Sequence, residues 1–505
     1  MQNEKMLLGI DIGTQAVKGV LTNLDGQIAS QASIERGPNN PRPGWVEMDP
    51  EQDLWGTVIQ VFKKLFAVSE VSPESVKVVG ISGLVPCLCP LDEDGRPVGA
   101  TILYSDNRAL EELNWINQTI GLHLTAEAPI PKLVWIRNHE PQRFDRIRTV
   151  MSAHNYVVFR LTGKKYIDYD TCGIMGGIFD NRKKIWREDI CQKLGLPLSL
   201  FPPPRPATEI VGAITSLAAQ QTGLLPGTPV IAGCGDTFPT LLGCGVVDPG
   251  DAMVSFGTTG LLTLTQTPLV DSAKGPHFDD GSGNASISWV SYVLSTGQLI
   301  RWYVEQFGQA EKAVASRLDC SIHDLLDVEA ATVPPGAEGL LVLPHWLGRR
   351  KPIADAKIRG AIIGFTPSHT PAHIYRAILE SFAYNMRQTY MAEKPRIRRV
   401  VATAGGARSK LWRQIVTDIL NIPMEYYPGS SGALGIAFLA GYADGLISDF
   451  GDIKHVWLRD PQMTLPGPAV AIYDRYYDIY CEFEEQMAQP FNHLAQVAIQ
   501  TNNPC

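Results

Sequence analysis

Two segments of this chain share a pattern that narrows the choice of fold. Leu7-Leu-Gly-Ile-Asp-Ile-Gly-Thr-Gln-Ala-Val-Lys-Gly-Val-Leu-Thr22 reads as a strand, a Gly-Thr turn and a second strand. Ala252-Met-Val-Ser-Phe-Gly-Thr-Thr-Gly-Leu-Leu-Thr-Leu-Thr265 repeats that pattern about half a chain later. A repeat at that spacing predicts two related halves rather than two unrelated domains. The chain has 505 residues, beyond the size at which one core keeps growing, so two domains are expected, 1–246 and 247–505. In the first hairpin the strands are read as 6–10 and 16–22, with Asp11, Gly13, Thr14 and Gln15 in the turn. Such a turn offers backbone N–H groups and a hydroxyl to a phosphate, and a carboxylate to a hydrated metal ion. An ordinary glycine turn with a capping threonine accounts for the same residues.

Between the repeats lies Ile231-Ala-Gly-Cys-Gly-Asp-Thr-Phe-Pro-Thr-Leu-Leu-Gly-Cys-Gly245. A buried strand, 230–232, runs into a Gly-rich turn that carries one acid, Asp236. An acid lifted to a sheet edge by flexible backbone meets a substrate there. It also caps a following helix. After the second repeat, the strand 399–404 leads into Gly405-Gly-Ala-Arg-Ser-Lys-Leu-Trp412 and the helix 411–420. A Gly-Gly turn at a helix N-terminus gathers unpaired N–H groups and the positive end of the dipole, which suits an anion. It also lets a flat ring approach the backbone, though a plain strand-to-helix turn needs small residues as well. Asp106 and Arg108 leave a short strand together, placed either to grip hydroxyls or to pair with each other. Asp49-Pro50 and Thr370-Pro371 are N-cap and first-turn signals for two amphipathic helices. The four prolines in Phe201-Pro-Pro-Pro-Arg-Pro206 exclude helix there.

Apolar residues make up 45% and charged residues 19% of the chain, as in an ordinary globular protein. A net charge of −8 argues against a general nucleic-acid or anionic-membrane binder, although a local site can still be basic. No secretory pattern or membrane-length apolar run is visible. Nine cysteines in apolar contexts fit reduced thiols and a cytoplasmic location. Cys87 and Cys89 lack the further ligands a zinc site needs.

Several motifs together, in order, resemble the FGGY family of carbohydrate kinases within the actin/hexokinase/Hsp70 superfamily. They are Asp11-Ile-Gly-Thr14, Gly44-Trp-Val-Glu47, Ser105-Asp-Asn-Arg-Ala109, Lys132-Leu-Val-Trp-Ile-Arg-Asn-His139 and Arg160-Leu-Thr-Gly163. Gly235-Asp236, Phe256-Gly-Thr258, Arg359-Gly360 with Glu380, and Gly405 to Trp412 complete the series. Within the family the motifs are closest to the xylulokinase branch. The resemblance implies an α/β protein of two ribonuclease-H-like domains with an interdomain cleft, the first binding sugar and the second nucleotide. It implies ATP, Mg²⁺ and a small sugar or polyol as partners, with no nucleic acid, no membrane, and room for a homodimer. Asp236 would be the catalytic base and would also touch the acceptor. Asp11 would hold Mg²⁺ through water. Thr14 and Gln15 would cradle phosphates, with Gly257, Thr258 and Thr259 as a second phosphate turn. Gly297, Gly405, Gly406, Ala407 and Ser409 would line the adenosine end, and Asp106 with Arg108 would face the sugar.

The chain departs from the xylulokinase pattern where the acceptor is chosen. Ser82-Gly-Leu-Val-Pro-Cys87 stands for the usual Ser-Gly-Gln-Met-His-Gly, so Leu84, Val85 and Pro86 replace hydrogen-bonding groups of the sugar pocket. His154-Asn-Tyr156 replaces Lys-Asp-Tyr, and Gly348-Arg-Arg-Lys-Pro352 adds positive charge. His154 is read equally as a pocket residue and as a core histidine. These changes leave open another ketose, a polyol, a sugar acid or an autoinducer-type carbonyl compound as acceptor. A nucleotide-driven protein of the actin/Hsp70 type with no sugar substrate is the alternative from another class.

Overall fold

A computed structural model of the chain describes residues 4–69, 71–271, 275–276, 286–349, 351–355 and 357–502. The chain forms two compact units. The first takes Met1–Gly245, Leu269–Ala285 and Gly429–Arg459, and the second takes Val246–Pro268, Ser286–Pro428 and Asp460–Cys505. The units depart from a single cut at 246/247, because the late segment Gly429–Arg459 belongs to the first.

In the first unit, the strands Ile210–Ala213, Pro229–Ile231, Val76–Gly83, Met6–Ile12, Ala16–Asn23 and Ile28–Glu35 lie side by side in that order. Cys234–Gly235 adds a short seventh partner to Val76–Gly83. In the second unit the corresponding order is Gln462–Thr464, Met424–Tyr426, Arg399–Thr403, Asp251–Phe256, Gly260–Thr265 and Ile287–Val293. The pairing senses match along both sheets: antiparallel, parallel, parallel, antiparallel, antiparallel. The hairpins read as a repeat therefore occupy equivalent places in two ribonuclease-H-like sheets. The central strand Met6–Ile12 is apolar nearly throughout because both its faces are covered: Leu7, Leu8, Ile10 and Ile12 are all fully buried.

Two glycines, Gly9 and Gly80, open one face of the first sheet to close approach. The helix Gly432–Ala443 lies directly on it, backbone against backbone. A Cβ on Gly9 would fall 2.0 Å from the Ala433 carbonyl oxygen, and one on Gly80 would fall 2.5 Å from that of Ile436. The short helix Thr237–Gly243 crosses the same helix at a second glycine pair. A Cβ on Gly435 would lie 1.9 Å from the Pro239 oxygen, and one on Gly243 would lie 2.1 Å from the Ser431 oxygen. This seam is what draws residues 429–459 into the first unit.

Most elements read from the sequence are present. Asp49 caps the helical turn Pro50–Gly56 through the Glu51 and Gln52 amides, and Thr370 caps Pro371–Glu393. Two details differ. The strand Met6–Ile12 runs through Asp11, so the turn is only 13–15: pairing with Lys18 on one side and Ser82 on the other extends the ladder. The apolar run 87–91 reads as a strand in the sequence, yet the strand begins only at Cys89, while the Cys87 sulfur is held by Ser152 and the Ala153 amide.

Because the atoms facing Gly435 are backbone, they cannot move aside cheaply. Gly435→Ala is expected to destabilise the first unit by about 1–3 kcal/mol. Its first thermal unfolding midpoint should fall, and an unchanged midpoint would contradict the close contact.

Candidate active site

In the first unit two carboxylates meet at the ends of parallel strands. Asp11 sits near the end of the central strand, where the Ser82 hydroxyl donates to its Oδ1 at 2.9 Å. Asp236 follows the short strand Cys234–Gly235, and its amide donates to the Gly83 carbonyl at 3.0 Å. Asp236 stands at the cap position of the helix Thr237–Gly243; its side chain makes no capping bond, but the Thr237 hydroxyl and amide bond its carboxylate. It is ringed by protein but keeps some accessible surface. Burial, and then the negative charge of Asp11, push its acid up to about 7. Burial also raises Asp11, against the opposing Ser82 hydrogen bond and the charge of Lys18.

Two half-buried acids, the charge of Asp11 raising Asp236, suit a cation, because a positive charge relieves both. Among the described residues there is no group of three or more metal-binding side chains. Two carboxylates fit a hydrated ion held by few protein ligands, as magnesium is with phosphates. Gly432, the first residue of the seam helix, leaves the space in which Asp11 lies. A Cβ there would fall 2.7 Å from Asp11 Oδ2 and 3.1 Å from Thr240 Oγ1.

Thr14 and Gln15 lie on the turn that follows Asp11. Arg36, which carried no sequence signal, braces that turn: its Nη2 donates to the Gly13 carbonyl at 2.9 Å, and its amide to the Gln15 carbonyl at 2.9 Å. Burial lowers this guanidinium to about 10.

The predicted acceptor residues separate into a core and a rim. Leu84 is 1% exposed and turned into the core, whereas Val85 and Pro86 are half-buried. Val85 covers Gly235, where an added Cβ would meet its Cγ2 at 2.4 Å. Asp106 accepts from the Val46 amide at 2.6 Å and the Arg108 amide at 3.0 Å. It also accepts from Arg108 Nε at 2.9 Å and Nη2 at 2.7 Å. Those bonds fill its lone pairs, so Asp106 orients Arg108. Arg108 also binds Glu47 at 2.6 Å and stacks 3.7 Å above the Trp45 ring, while its Nη1 is buried without a partner. Lys132 is a buried cation bound to the Tyr104 and Glu127 carbonyls, and burial lowers it to about 8. His154 is fully buried with Nε2 2.7 Å from Asp168 Oδ2, which is the core-histidine reading. Burial would raise Asp168, but His154 and the Thr171 amide outweigh it and hold the carboxyl low.

The second unit brings its predicted residues to one sheet end. Ser255 pairs with Thr403, so the turns that follow these two strands are neighbours. A Cβ on Gly257 would lie 3.9 Å from that of Ala404. Gly297 is packed on the same turn: its amide donates to the Thr258 carbonyl at 2.9 Å, and a Cβ would meet Thr258 Cα at 2.8 Å. Gly257, Thr258 and Thr259 keep partly open faces. Ala404 has φ 71° and ψ 179°, a conformation almost reserved for glycine, immediately before Gly405 and Gly406. Strain of that kind gathers at ligand sites. Ala407 is fully buried, and Ser409 caps Lys410–Leu420 by accepting the Trp412 amide at 2.9 Å. Among the described residues no helix is long and apolar enough to cross a membrane.

Two ribonuclease-H-like units thus carry paired acids on one sheet end and clustered glycine turns on the other. Comparison with known proteins specifies the family. Residues 6–243 match the N-terminal domain of the FGGY family of carbohydrate kinases and residues 252–443 its C-terminal domain, so the chain belongs to that family. It is a phosphotransferase acting on sugar hydroxyls. A xylulose kinase of Bacillus subtilis (strain 168) is 28% identical over 492 residues, 94% of this chain and 96% of that protein. A gluconokinase of the same organism is 30% identical over 471 residues, 89% of each chain. The crystal structure of xylulose kinase from Rhodospirillum rubrum superposes with a TM-score of 0.75 at 27% identity, covering 97% of this chain and all of that one.

The Asp106–Arg108 pair is almost fully buried, with side chains 0% and 1% exposed. Asp106→Ala is expected to cost about 3–5 kcal/mol, because it leaves the guanidinium buried and half-paired. A chemical-denaturation midpoint equal to wild type would contradict that role.

Proposed function

We propose that the chain transfers the γ-phosphoryl group of ATP to a hydroxyl of a small sugar or polyol, with Asp236 as general base. The observation that carries this reading is the half-buried Asp236 at a strand end, raised by burial and by the charge of Asp11. A base is most useful when its acid lies near the working pH, and burial with a neighbouring charge brings Asp236 there. Asp236 takes the proton of the acceptor hydroxyl as that oxygen bonds to the γ-phosphorus and the bond from phosphorus to the ADP oxygen breaks. Phosphoryl transfer asks chiefly for in-line placement and charge neutralisation. Asp11 would hold hydrated Mg²⁺, which when bound neutralises phosphate charge. In the first unit Thr14 and Gln15, on the turn braced by Arg36, offer one phosphate-binding turn. In the second, Gly257, Thr258, Thr259 and Gly297 offer another, and Gly405 and Gly406 take the adenosine end.

The acceptor is narrowed by the rim beside Asp236. Relatives named xylulose kinase and gluconokinase support a ketose or a sugar acid as the acceptor to try first. Val85 and Pro86 bring neither an amide nor an imidazole to that rim, so fewer acceptor hydroxyls are matched there. We infer a cytoplasmic enzyme acting on a free small molecule.

Asp236→Asn is expected to retain ATP binding by calorimetry and to lose at least a hundredfold in acceptor-dependent ADP release. More than a few per cent of wild-type transfer would remove Asp236 from the role of base. Gly432→Ala probes the placement of Asp11. Helix propensity alone favours alanine by up to about 1 kcal/mol, so the fold should hold. The methyl group displaces the Asp11 carboxylate, so kcat should fall at least tenfold and the Mg²⁺ concentration for half-activation should rise. Wild-type values of both would show that this placement is immaterial.

A further inference from the structure

The charge that Gly348-Arg-Arg-Lys-Pro352 adds to the chain is partly spent inside the second unit. Arg349 donates from Nη1 to Glu484 Oε2 at 3.3 Å and from Nε to the Ile353 carbonyl at 3.0 Å. Arg350 lies outside the described residues. Glu484 belongs to the helix Val470–Asn502, is 6% exposed and gathers four donors. Besides Arg349 they are His345 Nε2, Gln388 Nε2 at 2.5 Å and the Tyr480 hydroxyl at 3.3 Å. Burial would raise this carboxyl, but the bond and charge of His345, the bond from Gln388 and the charge of Arg349 hold it below its ordinary value. An ionised carboxylate only accepts, so His345 Nε2 carries a proton.

The loop gripped by Glu484 reaches the turn that follows the strand Asp251–Phe256. Ser295 stands at the cap position of the helix Thr296–Gln306, yet makes no capping bond to it. Its hydroxyl is fully buried and donates to the Pro344 carbonyl at 2.7 Å. Trp346 packs on Trp302 of the same helix, with ring centroids 5.6 Å apart. Two residues after Ser295, the Gly297 amide donates to the Thr258 carbonyl at 2.9 Å. Glu484 is therefore joined to the turn 257–259 through His345, Pro344, Ser295 and Gly297, each step being a hydrogen bond or a short run of backbone.

We propose that Glu484 is a positioning residue for the nucleotide phosphates, fixing the turn 257–259 through the loop 344–349 without touching the ligand. This rests on the reading that the turn 257–259 takes phosphate. Backbone N–H groups bind an anion well only when they are already aimed at it, because they cannot turn toward it as a side chain can. A turn of that kind has to be braced from behind. Arg36 does this for the turn 13–15 of the first unit from a neighbouring strand. In the second unit the brace comes from the last helix of the chain.

The test is calorimetric binding of ADP and of adenosine to the full chain, with no acceptor present. Glu484→Gln keeps the shape but sets an amide against the Arg349 and Gln388 donors. It should weaken ADP about fivefold or more and leave adenosine, which has no phosphate, within about twofold. Ser295→Ala cuts the route without altering Glu484 and should do the same. The double variant should lose little beyond the worse single variant, because both changes break one route. Tyr473→Phe is the control on the same helix: it removes buried hydrogen bonds to Arg376 and Glu380, so it should lower the thermal midpoint while leaving ADP within about twofold. Unchanged ADP affinity in both single variants, losses that multiply in the double variant, or an equal ADP loss in Tyr473→Phe overturns the role of Glu484 and leaves the phosphate reading standing. Adenosine weakened as much as ADP overturns the link from Glu484 to phosphate. Failure of wild-type protein to bind ADP overturns the phosphate reading of the turn and this inference with it.

Discussion

The first unit depends on a contact that side chains would forbid. The helix Gly432–Ala443 can rest on the central strands only because Gly9 and Gly80 carry no Cβ. It can cross Thr237–Gly243 only because Gly243 and Gly435 carry none. That one layer of missing atoms has two consequences. It recruits a segment from late in the sequence into the unit built by the first half. It also fixes the helix whose first residue, Gly432, borders Asp11, and the helix that Asp236 precedes. The two acids are thus placed by backbone packing, the stiffest device available in a close-packed interior. Side-chain hydrogen bonding adds only local adjustment, such as that of Ser82 on Asp11.

The matched sheets divide the labour. Each presents a Gly-rich turn after its first strand. The first sheet adds acids to that end, and the second adds further glycine turns. Carboxylates buried near each other hold back a proton until a cation or substrate arrives, whereas bare backbone N–H groups accept a polyanion without charged side chains. On the proposed reading, the same topology serves proton removal in one place and phosphate binding in the other. Arginine and lysine are used sparingly and from behind: Arg36 braces a turn, Arg108 is locked by Asp106 and Glu47, and Lys132 is spent on two carbonyls.

Much of this was legible in the residues. Periodic apolar runs, the Gly-Thr repeats and the capping signals at Asp49 and Thr370 are local, and local rules hold where neighbours agree with them. Asp236 was legible as an acid after a strand, but that its side chain makes no cap bond to the helix it precedes was visible only in the structure. Asp106 and Arg108 stood as either pocket or pair, and the pair reading followed only when all four bonds to Asp106 were visible. The long-range features were not legible. No rule of spacing joins Gly435 to Gly243 or Glu484 to His345, because each contact is set by how distant elements pack. Arg36 was missed because a lone arginine at a strand end has no signature. His154 was ambiguous until Asp168 proved to be its partner.

The central claim is transfer of phosphate from ATP to an acceptor hydroxyl under the control of Asp236. The most direct measurement is phosphorus NMR of ATP and Mg²⁺ incubated with the protein and, in turn, pentuloses, hexuloses, polyols and sugar acids. The account predicts a new phosphomonoester resonance with at least one acceptor, growing in step with ADP and absent without protein. Inorganic phosphate as the sole new species, or an unchanged ATP spectrum with every acceptor, would contradict it.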